Sequence, residues 1–147
     1  MVRKASAVWN GSLKEGKGTI STESGVLSKT QYSFATRFEN GVGTNPEELI
    51  AAAHAGCFTM ALSAQLGNAG ITPESLETTA AVTLEKLEAG FTITKIHLDL
   101  TAHIPGVDKA AFEKAAADAK AGCPISRLLK AEITMTAKLS DERAISA

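Results

Sequence analysis

Apolar and polar residues alternate with a period of two in short stretches before Asn40, and the pattern returns from Glu77 to Ile104. The early stretches predict three strands: Ala7-Val8-Trp9, Gly18-Thr19-Ile20 and Tyr32 to Phe38, separated by Gly, Asn and Ser turn chemistry. In the third, Tyr32, Phe34, Thr36 and Phe38 share one face while Ser33, Ala35 and Arg37 share the other, so Arg37 is expected to point away from the aromatic stripe.

Between the two alternating regions the period changes. Asn45-Pro46-Glu47-Glu48 has the elements of a helix start: Asn45 as N-cap, Pro46 at the first helical position and Glu48 placed to close a capping box. The helix is expected to run to Gly67 or Gly70 through Ile50-Ala51-Ala52-Ala53-His54-Ala55-Gly56-Cys57. So many small residues predict a central, buried helix that another backbone approaches closely.

Glu77–Leu87 and Phe91–Ile104 read as a hairpin turning at Glu88-Ala89-Gly90. In its second strand Ile96, Leu98, Leu100, Ala102 and Ile104 form a core face, and His97, Asp99, Thr101 and His103 a wet one. A second helix is expected from an Asp108 cap, burying Phe112, Ala115, Ala116 and Ala119 and stopping at Gly122. Cys123-Pro124 opens a short helix through Leu129, and Ile133, Met135, Ala137 and Leu139 mark a closing strand. The order is that of an α+β fold with helices gathered against a sheet, not a βαβ repeat. At 147 residues the chain is read as one domain, 1–147, with a polar or small tail from Asp141 to Ala147 that frays.

Composition narrows the function. A net charge of −1 leaves no positive excess to neutralise a phosphate backbone or an anionic bilayer, so neither nucleic acid nor a membrane is an expected partner. No run approaches the roughly 18 apolar residues of a membrane span and no signal-like segment opens the chain, so a cytoplasmic protein is expected. Two cysteines in a reducing compartment are either quiet buried thiols or a redox pair, rather than a permanent staple.

At about 100° per residue, Glu47, Ile50, His54 and Cys57 fall within an arc of about 80° on the long helix. A mid-helix thiol gains little from the helix dipole, so lowering its pKa takes a neighbouring cation, for which Arg37 is the best candidate. Arg37 could also donate to a peroxide oxygen as it leaves, with Glu47 holding the guanidinium; the alternative is an ordinary surface ion pair. Cys123, before Pro124, is placed where backbone N–H groups favour an anion, or is a thiol that merely fits a helix junction. His54 is expected to be a satisfied helical histidine, outside the catalytic set. The cysteines and histidines lack the close-paired spacing of a zinc site.

The segments Gly16–Leu27, Phe38-Glu39, Gly43–Phe58 and Lys120–Ser126 closely resemble the OsmC/Ohr family of hydroperoxide-reducing enzymes. The resemblance implies a long central helix against an antiparallel-rich sheet, in an intertwined homodimer with active sites at the interface. It implies that Cys57 is the peroxidatic cysteine, Cys123 the resolving one, Arg37 the group that stabilises thiolate and peroxide, and Glu47 the group that orients Arg37. His54 also looks like the OsmC branch. Organic hydroperoxides, and hydrogen peroxide less efficiently, are the implied substrates, in a response to oxidative and osmotic stress. The implied reductant is a dithiol, notably a lipoylated protein, and no cofactor or metal is implied. A redox sensor or binding protein using the same disulfide without sustained turnover is the alternative.

Overall fold

The computed structural model describes residues 1–140; the expected fraying of Asp141–Ala147 lies outside the described residues. The described chain falls into two compact units, one ending at Leu49 and the other starting at Ile50.

The first unit opens with an antiparallel sheet of β1 (Ala5–Asn10), β2 (Lys17–Thr22) and β3 (Thr30–Tyr32), in that order. Gly18 is central to it. Its cross-strand neighbours are Trp9 and Tyr32, whose ring centroids stand 5.4 Å apart, and a Cβ at Gly18 would come within 2.5 Å of both rings. The absent side chain is what lets the two rings meet.

The third predicted strand is cut short. After Tyr32, residues Phe34–Phe38 form a helix, α1, capped by Ser33. Ser33 Oγ accepts from Thr36 N at 3.3 Å, and Thr36 Oγ1 accepts from Ser33 N at 2.8 Å, a complete capping box. The aromatic alternation misled because residues four apart share a face in a strand and nearly so in a helix. Phe34 and Phe38 therefore still meet, with centroids 5.0 Å apart, while the face assigned to Arg37 no longer applies.

The long helix α2 spans Pro46–Asn68. Asn45 Oδ1 accepts from Glu48 N at 2.7 Å, and Asn45 Nδ2 donates to the Thr36 carbonyl at 3.0 Å, so one side chain caps α2 and ties its start to α1. Glu48 turns to the Thr44 hydroxyl, which donates to it at 2.8 Å. At the far end Gly70, at φ +75°, lets Ile71 N donate to Leu66 O and Gly70 N to Gly67 O, the paired bonds of a Schellman stop.

Only one ridge of α2 is buried: His54, Phe58, Leu62 and Leu66, each four residues after the last. Ala52, Ala53, Gly56 and Met60 are exposed, and a Cβ at Gly56 would meet nothing within 4 Å. The close backbone approach expected at Gly56 is not made by the described chain. By length and composition α2 would also pass for a membrane-crossing helix, although the sequence reading found no such run; its ridge marks it as the core helix of the second unit.

In that unit β4 (Ser75–Leu87) and β5 (Gly90–His103) form a long antiparallel hairpin, and β6 (Glu132–Leu139) runs parallel to β5 on its other side. The parallel pair requires a crossover, supplied by α3 (Lys109–Gly122) and α4 (Pro124–Leu128), so the fold contains one βαβ unit that the sequence reading did not foresee. Asp108 Oδ2 caps α3 by accepting from Ala111 N at 3.0 Å. The core joins the α2 ridge to Ile96, Leu98, Leu100 and Ala102 of β5 and to Phe112, Ala115, Ala116 and Ala119 of α3, the positions expected from both periods. Each fully buried Leu, Ile or Phe here contributes about 1.5–3 kcal/mol of transfer free energy.

Candidate active site

Two constellations hold the residues singled out in the sequence, one in each unit. In the first, Arg37 at the end of α1 meets Glu47 in the opening turn of α2. Arg37 Nε donates to Glu47 Oε1 at 2.9 Å and an Nη of the same guanidinium stands 2.7 Å from that oxygen. Glu47 is 12% exposed and its Oε2 is buried without a partner, so this is not a freely solvated surface pair. The guanidinium also lies 5.2 Å from the centroid of the Phe38 ring. Asn45, by tying α1 to α2, fixes the two elements that carry the pair.

In the second, Cys57 and Cys123 come together although 66 residues separate them. Both are free thiols; Cys57 is half-buried on α2, and Cys123 is fully buried as the N-cap of α4. Burial pushes the Cys57 thiol above its ordinary pKa, the Ile125 backbone N–H pulls it back, and a hydrogen bond and charge repulsion from Cys123 raise it further. The net direction is upward, so a thiolate at Cys57 depends on a cation beyond these neighbours.

Cys123 has a second set of partners. Its Sγ accepts from Ser126 N at 3.3 Å, as an N-cap side chain does, and donates to Ser126 Oγ at 3.2 Å. Ser126 Oγ in turn lies 2.8 Å from His54 Nε2. His54 is thus the satisfied helical histidine expected, but on one nitrogen only, because its Nδ1 is buried without a partner. Burial lowers its pKa, which disfavours the charged ring. Ser126 was given no role in the sequence, where nothing local marks it as the partner of His54.

The other histidines stand apart from this cluster. His97 lies between the Thr134 and Thr136 hydroxyls of β6, at 2.6 and 3.1 Å. His103, expected on a wet face, is buried at the end of the central strand β5, with Nδ1 3.0 Å from the Ser140 carbonyl and Nε2 3.1 Å from Glu74. Among the described residues no three His, Cys, Asp or Glu side chains are grouped to hold a metal ion.

The chain is similar to known proteins over most of its length. The family model described as OsmC-like protein matches residues 38–138. Peroxiredoxin OsmC of Escherichia coli is 58% identical over 137 residues, covering 93% of this chain and 96% of that protein. An organic hydroperoxide resistance protein of Xanthomonas axonopodis pv. citri is 28% identical over 128 residues, covering 86% and 87%. A solved organic hydroperoxide resistance protein from Legionella pneumophila superposes with a TM-score of 0.65 at 28% identity, covering 93% of this chain and 96% of its own.

Proposed function

Because this chain belongs to the OsmC-like protein family, we propose that it is a cysteine-based thiol peroxidase acting on organic hydroperoxides, with Cys57 as the peroxidatic and Cys123 as the resolving cysteine. The observation that carries the assignment is that the two thiols are neighbours: a half-buried one on α2, and a buried one at the start of α4 whose presence raises the pKa of the first. The Cys57 thiolate attacks the outer oxygen of the hydroperoxide, the O–O bond breaks, and the alkoxide leaves to be protonated as alcohol. The sulfenic acid on Cys57 then condenses with Cys123, releasing water and leaving a disulfide. A dithiol, such as a lipoylated protein, returns both cysteines to thiols.

Arg37 supplies the cation that Cys57 lacks among its near neighbours, favouring thiolate and donating to the departing oxygen. Glu47 orients it, and the double contact on Oε1 supports that role. Arg37 acts within its own chain or across a homodimer; the exposed small-residue face of α2, Ala52, Ala53 and Gly56, supports such a pairing of two copies. The full chain, 1–147, is one functional domain of a cytoplasmic enzyme, where its two thiols stay reduced between turnovers.

The test is steady-state turnover with cumene hydroperoxide and dihydrolipoamide. Cys57→Ser is expected to be inactive, Cys123→Ser to form a sulfenic acid that overoxidises, and Arg37→Ala to lose about 10²–10³ in kcat/KM. Activity retained by Cys57→Ser overturns the assignment. Consumption of a single equivalent of peroxide by the wild type points instead to a sensor.

A further inference from the structure

The resolving step asks for a proton acceptor beside Cys123. Cys123 must lose its proton before its sulfur can attack the oxidised Cys57, and Cys123 is fully buried away from bulk water. One path for that proton is built from side chains: Cys123 Sγ to Ser126 Oγ at 3.2 Å, and Ser126 Oγ to His54 Nε2 at 2.8 Å. Resting on the assignment of Cys123 as the resolving cysteine, we propose that Ser126 and His54 form a proton relay that receives the Cys123 proton as the disulfide closes.

The geometry suits the transfer in both of its end states. Before reaction the thiol donates to Ser126 Oγ, and the Ser126 hydroxyl donates to a neutral imidazole whose lone pair is on Nε2. As the proton leaves, Ser126 takes it from sulfur while giving its own to Nε2. The new hydroxyl then points back at the thiolate, which the Ser126 backbone N–H also faces at 3.3 Å. The Cys123 sulfur attacks the Cys57 sulfur, an S–S bond forms, and the S–O bond breaks. The departing hydroxide takes up the proton that His54 received from Cys123 and leaves as water, so the step consumes none overall and the imidazole returns to its neutral form. Burial disfavours a lasting imidazolium, so His54 holds the proton only in passing.

A buried serine and histidine could also simply satisfy one another, and kinetics separate the two roles. After one equivalent of cumene hydroperoxide, sulfenic acid on Cys57 is trapped with dimedone and disulfide is followed by loss of free thiol. The ratio of closing rate to sulfenic acid formation is compared across wild type, Ser126→Ala, Ser126→Thr and His54→Gln, each checked for fold by circular dichroism.

The relay predicts that Ser126→Ala lowers this ratio by roughly tenfold to a hundredfold, that Ser126→Thr restores it, and that His54→Gln gives the same loss by severing the other end. It also predicts a changed pH profile: the alanine variant closes only from thiolate already present, so its rate rises steeply with pH, whereas the wild type rises less steeply. An unchanged ratio with an unchanged slope in folded Ser126→Ala overturns the relay. A wild type that forms no sulfenic acid on Cys57 removes the cysteine assignment and the relay with it, an outcome distinct from slow closure.

Discussion

His54 is fully buried, has a partner on only one ring nitrogen, and is held below the ordinary histidine pKa of about 6.5 by that burial. The unfolded chain takes up a proton at this ring as pH falls through about 6.5, and the folded chain does so only at lower pH. The contribution to stability is therefore complete above that value and is lost as pH falls below it, until the native ring is itself protonated. Urea unfolding from pH 8 to 5 should show the midpoint falling below pH 6.5, and His54→Gln should remove part of that slope. At this scale the sequence was informative about residue types: both cysteines, Arg37 and Glu47 were singled out, and the structure pairs Arg37 with Glu47 and makes Cys123 a neighbour of Cys57. Ser126 was not legible, because a serine three residues after a cysteine looks like any helix-start residue until His54, 72 residues away, closes on it.

At the scale of elements, the strongest signals were those in which two local rules agreed. Asn45-Pro46 and Asp108 start helices where caps and periodicity both placed them, and β5 buries the alternate residues expected. The failures came where one pattern served two structures. Tyr32–Phe38 alternates like a strand, yet Ser33 and Thr36 close a capping box and turn most of it into α1. β6 alternates as expected, but alternation carries no strand direction, so its parallel pairing with β5 was invisible. In the meander, the contact of Trp9 with Tyr32 depends on Gly18. Gly18→Ala should push the rings and strands apart and destabilise the sheet by about 1–3 kcal/mol, read as a lower denaturation midpoint.

For the molecule as a whole, membership of the OsmC-like family came from motif residues rather than from periodicity, which by itself reached only α+β. The homodimer is likewise a family inference, and one chain shows only what would favour it: a row of exposed small residues on a helix that a globular chain would otherwise cover with larger ones. The first compact unit ends and the second begins inside α2, between Leu49 and Ile50 near the start of the helix. Continuous helical hydrogen bonding across that point predicts that the units unfold together.

The chain carries the means to observe this. It has a single tryptophan and a single tyrosine, and they are the rings that meet over Gly18, so excitation absorbed by Tyr32 passes to Trp9 while the meander is intact. Loss of that energy transfer marks the opening of the first unit, and reaction of the buried Cys123 with a chromogenic disulfide reagent marks the opening of the second. The two colours should change at the same urea concentration; a gap between them would reveal an intermediate with one half of the molecule folded.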